Sequence, residues 1–217
     1  MQRIVAILLV LSTGVALRAQ EAPRVDKSAE AAYVPMAGDI VLFRHNHPLS
    51  RVFTAVTLSG KIIHVAIVVP RADGSMCLLE TPKFFSSVCL NDVSDRVKTY
   101  PGEIYVRRHR QPLTAAQRDG LTKFAYAQEG KPYDWVRCAA IPFSLPVPLV
   151  KGQYRMSSTD GSRWYCASLV LGACCASGLL DPETVIVRGS CADDLRADYP
   201  LDLSAGWEPA VKKFSNP

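Results

Sequence analysis

Two short segments carry the residue types of covalent acyl transfer. Tyr165-Cys166-Ala167-Ser168-Leu169-Val170 places a cysteine at the start of an apolar helix-like run, and His64-Val65-Ala66-Ile67-Val68 places a histidine at the start of an apolar strand. A thiol at a helix N-terminus lies beside unpartnered amides and the positive end of the peptide dipoles, which favours thiolate. An imidazole within reach can take the thiol proton and return it to a leaving group. The pair points to a Cys166 nucleophile with His64 as its base. It also makes Cys166 the only cysteine expected to be alkylated rapidly at neutral pH in the folded protein.

A third polar group would complete such a site. Glu80 closes the apolar run Met76-Cys77-Leu78-Leu79-Glu80. A carboxylate on the far nitrogen of His64 would fix its tautomer and orientation. Asp39, in a Gly38-Asp39 turn, is the rival orienter. His45 and His47 form an H-x-H pair without a third ligand and read as loop residues, not a metal site. No CxxC pair exists among the seven cysteines, so a structural zinc is not expected, and the chemistry needs no cofactor. In an exported chain the odd cysteine count leaves at least one thiol unpaired. Cys77 and Cys89, on consecutive strand candidates, are the expected disulfide.

These residues need elements to position them. Strands are expected at 38–44, 61–69, 76–80, 87–90 and 103–108, with a turn at Arg71-Ala72-Asp73-Gly74. Residues 48–58 read as a short helix. Thr114 caps a helix over 115–129, with Leu121, Phe124 and Ala125 at helical spacing and Gly130 as its stop. A Pro- and Gly-rich stretch over 141–163 reads as a long loop, and 142–163 either as a mobile cover over the cleft or as a surface connection packed down by its own apolar residues. The nucleophile helix runs over 166–177, and the tail adds a short helix and an edge segment.

The length of 217 residues suits one domain with a real core. The formal charge of +5 is mild. Its one basic cluster, Arg107-Arg108-His109-Arg110, reads as a solvated edge, and no nucleic-acid motif accompanies it. Arg3, the apolar run 4–11 and the small residues Gly14, Ala16 and Ala19 read as a secretory signal over 1–19. The run is too short for a comfortable membrane span. A leader over 20–35 then precedes a domain over 36–217. The expected location is exported, periplasmic or extracellular, in a bacterium.

In these motifs the chain resembles the NlpC-type cell-wall peptidases, which have a papain-like fold. Gly130-Lys131-Pro132-Tyr133 matches their G-x-P-Y segment and Cys166-Ala167-Ser168-Leu169-Val170 their nucleophile helix start. Gly38-Asp39-Ile40-Val41-Leu42-Phe43 and His64-Val65-Ala66-Ile67 match two strands that come later in those proteins. The order here is circularly permuted and is similar to the permuted papain-like amidases of the YiiX type. The resemblance implies an α+β fold with an antiparallel, partly barrel-like sheet packed against the nucleophile helix. It implies Glu80 as the third polar residue and Tyr133 as an oxyanion donor beside the Cys166 N–H. Tyr165, next to the nucleophile, is the neighbouring candidate for that role. The implied activity is that of an exported cysteine amidase or peptidase. Its partner would be a peptide or peptidoglycan fragment, a γ-glutamyl bond being one option. Ala66 stands where glycine is usual, and Ala167 where serine is. Both bear on substrate choice more than on chemistry. Two alternatives keep the fold. One is a thioesterase or lipid acyltransferase related to lecithin:retinol acyltransferase, whose N-C-E-H-type segment is absent here. The other is a non-catalytic peptide-binding module.

Overall fold

The structure is a computed structural model that describes residues 33–45, 61–82, 86–140, 161–183, 185, 190–198 and 201–215. The chain divides into Met1–Ala31, outside the described residues, and Ala32–Pro217, which carries every element below. The expected signal, the helix over 48–58, His47 and most of the loop over 142–163 also lie outside the described residues.

Six strands form one antiparallel sheet: β1 (Ile40–Arg44), β2 (His64–Pro70), β3 (Met76–Glu80), β4 (Cys89–Asp92), β5 (Glu103–Arg107) and β6 (Val211–Ser215), in the order β4-β3-β2-β1-β5-β6. Among the described strands no pairing closes the sheet into the expected partial barrel. After β4 the chain turns into a helix that lies on one face instead of extending the edge. β2 is central and almost wholly buried, as its near-continuous apolar run requires. The β2–β3 hairpin turns at Gly74, whose φ of 82° suits glycine; Asp73 Oδ1 accepts the Ser75 N–H at 2.9 Å.

Strand alternation divides the core in two. On one face Val41, Phe43, Ala66, Val68 and Leu78 pack with Val93, Val97 and Tyr100. These last belong to or follow α1 (Val93–Thr99), capped by Asp92, whose side chain accepts the Asp95 N–H. On the other face Val65, Ile67, Val69 and Leu79 pack with Leu121, Phe124, Leu169 and Val170. These come from α2 (Ala115–Gln128) and α4 (Cys166–Ala176). A short α3 (Trp135–Ala140) lies between them in sequence. α2 starts at a capping box of Thr114 and Gln117. α4 is buried from Cys166 to Cys174 because it is apolar all round. Each large aliphatic side chain it removes from water contributes about 1.5–3 kcal/mol.

The tail is fastened by a residue expected in solvent. Arg107 is fully buried, so the basic run is not a simple solvated edge. Its guanidinium donates to Asp198 Oδ1 at 2.7 Å, Leu195 O at 3.2 Å and Glu208 O at 3.0 Å. That set of acceptors offsets the cost of burying the charge. His109 is likewise engaged, with Nδ1 2.6 Å from Gln111 O and its ring edge-on to Trp207.

β4 starts at Cys89, later than expected; Ser87 makes an isolated bridge to Pro132. The Cys77–Cys89 disulfide is not formed, and both thiols are free. The register pairs Cys77 with Asp92 and Cys89 with Glu80. The two cysteines are therefore offset along the ladder and face opposite sides of the sheet.

Candidate active site

The nucleophile segment is held from both sides. Trp164 bridges Tyr133 in a parallel contact, with the Asp134 N–H donating to Trp164 O at 2.9 Å and the Trp164 N–H to Pro132 O at 3.2 Å. The Gly130–Tyr133 segment thus runs alongside the start of α4. The Trp164 indole Nε1 donates to Gln128 Oε1 of α2 at 3.0 Å. Its ring lies over Gly172 of α4, where a Cβ would come within 2.9 Å of it. Ser168 secures the helix start by accepting the Tyr165 N–H at 3.1 Å.

Cys166, the first residue of α4, is buried. Its sulfur receives the backbone N–H of Val65, the residue after His64, and that of Ala167. Val65 is free to donate there because β2 pairs with β3 only from Ile67 onward. These amides stabilise a thiolate, yet burial, aided by Cys138 and Cys191, pushes the thiol up to about 12. The expected lowering of the thiol pKa is therefore opposed by burial, which acts in the other direction. The helix start acts as reasoned, but desolvation outweighs it.

His64 is the first residue of β2, opposite Phe43 in the β1 register. Its ring lies 5.2 Å from that of Phe43, and its Nε2 is 2.7 Å from Glu80 Oε2. Glu80 is fully buried. Its Oε1 accepts from Asn91 Nδ2 and Arg96 Nε, each at 2.8 Å. Burial would push this carboxyl up, but the hydrogen bond and charge of His64, with the charge of Arg96, hold it down to about 2. An ionised carboxylate only accepts, so Nε2 carries the hydrogen and Nδ1 is the basic nitrogen.

The structure brings Glu80 onto His64 and Cys166 onto the amide of Val65. Among the described residues it makes no hydrogen bond between the Cys166 sulfur and the His64 ring. The physical reason is the strand's alternation. The imidazole leans to the α1 face, toward Glu80, while the thiol approaches from the α4 face at the open end of the sheet.

Tyr133 is buried, and its hydroxyl donates to Cys138 Sγ of α3 at 3.1 Å. Burial raises its pKa, with Cys166 and Cys138 adding to the effect, so it stands near both thiols. Tyr165 is buried and caps α4. Asp39 is not the orienter. Its Oδ2 accepts from Tyr33, the Met36 N–H and Arg108, at the far end of β1 from His64.

Sequence reasoning missed Arg96, Asn91 and Cys138. Arg96 belongs to a helix it did not find, whose signal was the Asp92 cap before Val93 and Val97. Cys138 had no signal beyond its closeness to Tyr133. Among the described residues no group of three or more His, Cys, Asp and Glu side chains could hold a metal ion, and no helix is long and apolar enough to cross a membrane.

No protein-family model matches the chain, and no curated protein matches it. The solved structure of metalloprotein YiiX from Escherichia coli O157:H7, of the family DUF1105, is similar to this chain. The TM-score is 0.48 at 20% identity, covering 68% of this chain and 69% of that one.

Proposed function

We propose that the chain is a cysteine amidase or peptidase of permuted papain-like type, with Cys166 as nucleophile, His64 as base and Glu80 as orienter. The observation that carries this reading is the Glu80–His64 hydrogen bond of 2.7 Å on the residue next to Val65, whose amide touches the Cys166 sulfur. The buried carboxylate and the imidazole meet on the α1 face of β2, and the helix-start thiol meets the same strand one residue further on, from the α4 face.

Because the resting thiol is protonated, His64 acts by general base catalysis instead of holding a preformed ion pair. The thiol leaves the Val65 amide and gives its proton to His64 Nδ1 as the sulfur bonds to the substrate carbonyl carbon. Helix-start amides, with Tyr133 once its hydroxyl leaves Cys138, stabilise the oxyanion. The C–N bond then breaks, and the imidazolium protonates the leaving amine. Water, deprotonated by His64, attacks the thioester; its collapse frees the acid and restores the thiol. Throughout, Glu80 keeps Nε2 protonated and Nδ1 facing the reaction.

We propose peptides of cell-wall type as substrates, with γ-glutamyl bonds among them, and export of the chain by residues 1–19 to a bacterial periplasm or exterior. The test is a panel of muropeptides, γ-glutamyl dipeptides and acyl esters, with products followed by mass spectrometry. Cleavage of an amide that is lost in Cys166→Ser is expected. Ester-only turnover, or tight peptide binding without turnover, would overturn the reading.

A further inference from the structure

We infer that Arg96 is a positioning residue of this site: its fixed charge offsets the Glu80 carboxylate that His64 faces, while Asn91 fixes the carboxylate's orientation. This rests on the reading of Cys166 and His64 given above.

The Glu80 carboxylate is saturated. Oε2 faces His64 Nε2 at 2.7 Å, and Oε1 takes Arg96 Nε and Asn91 Nδ2 at 2.8 Å each. Asn91 reaches it from β4, where it is paired with Leu78 on the same face as Glu80. Arg96 reaches it from α1, with its guanidinium 4.9 Å from the Phe43 ring and 5.3 Å from the Tyr100 ring. Phe43 also packs on the His64 ring. One set of rings therefore holds both the base and the cation behind its carboxylate. Arg suits this place because a planar guanidinium can stack and donate at once.

The electrostatic consequence follows from charge counting. A buried carboxylate whose only partner is an imidazole stabilises the imidazolium strongly and would leave the base already protonated. Arg96 cancels that charge at the far oxygen, so His64 meets a neutral ion pair. The orienting hydrogen bond is kept while the carboxylate's charge is shared with Arg96. The other titratable groups nearby are Cys89 of β4, whose Sγ donates to Glu80 O, Tyr100 after α1, His45 after β1 with its ring 6.0 Å from Tyr100, and Cys166 of α4. Among these Arg96 supplies the permanent positive charge.

The test is the pH profile of Cys166 alkylation by iodoacetamide, followed by peptide mass mapping, with amide hydrolysis as a second readout. Arg96→Gln offers Oε1 an amide without the charge, and its acid limb should move up by about half a unit to one unit. Arg96→Lys keeps the charge and should leave the limb near the parent's. Asn91→Ala should slow the reaction without moving the limb. If Arg96→Gln does not fold, a charge-neutral pair decides. Glu80→Gln alone should move the limb down, because Arg96 is then uncompensated, and Glu80→Gln with Arg96→Met should return it toward the parent position. A limb unmoved in Arg96→Gln, or a double variant that titrates like Glu80→Gln, overturns the inference. His64→Ala separates the two levels. If it abolishes the limb while the Arg96 variants leave it in place, only this inference fails. If the limb survives His64→Ala, the reading of the site itself fails.

Discussion

The imidazole of His64 and the carboxylate of Glu80 meet at 2.7 Å across β2 and β3, and the carboxylate is wholly buried. A buried charge survives only with partners, and this one has His64, Asn91 and Arg96. The pair is thus a structural asset, whatever chemistry it serves.

Glu80→Gln should therefore lower folding stability by roughly 2–4 kcal/mol at neutral pH, because it leaves Arg96 uncompensated. The sign of the pH dependence follows from the carboxyl being held down to about 2, against an ordinary value of 4.5. A lowered carboxyl stabilises the fold above its unfolded pKa and loses that contribution as pH falls through its folded pKa. Urea unfolding of parent and variant should converge as pH drops from about 4.5 toward 2. A constant difference across that window contradicts the assignment.

Cys166 in the resting protein should react slowly with iodoacetamide at neutral pH, more slowly than Cys166 in the urea-unfolded chain. Its thiol is pushed up to about 12 chiefly by burial, and the neutral thiol is a poor nucleophile. The rate should climb with pH. Immediate, stoichiometric labelling at neutral pH would show that a thiolate is already present.

Gly172→Ala pits helix propensity against packing. Alanine gains up to ~1 kcal/mol in a helix interior. Its Cβ would lie 2.9 Å from the Trp164 ring and 3.2 Å from Phe124, and overpacking costs about 1–3 kcal/mol. Packing should win, and the displaced Trp164 should disturb the start of α4, lowering kcat as well as Tm. Thermal unfolding and turnover check both; a more stable variant with full activity refutes the proposed role of this contact.

Tyr133→Phe removes the hydroxyl now donated to Cys138. As an oxyanion donor, its loss should reduce kcat by about 10²-fold with KM little changed. A change within twofold assigns Tyr133 to packing and leaves the oxyanion to backbone amides.

The sheet and the two long helices were legible because their patterns are local. Alternation marked β5, the continuous apolar run marked β2 as central, and the Thr114 cap and Gly130 stop bounded α2. Glu80 stood out as an acid closing an apolar strand. Arg96 and Asn91 did not, because their importance comes from α1, a helix of seven residues with only Val93 and Val97 buried. The Cys166 proton was misjudged for a related reason. A helix start is visible in sequence, but the burial that outweighs it, aided by Cys138 and Cys191, comes from packing by segments distant in the chain. Register defeated the Cys77–Cys89 pairing, and tertiary acceptors turned Arg107 from a solvated charge into a buried clasp.

The central claim is that Cys166 forms the covalent bond and His64 takes its proton. Its most direct test is rapid quenching of the protein with a cleavable acyl substrate, followed by mass mapping of the trapped adduct. The account requires an acyl group on Cys166, absent in Cys166→Ser and formed far more slowly in His64→Ala. An adduct on another cysteine, or full turnover by Cys166→Ser, contradicts it.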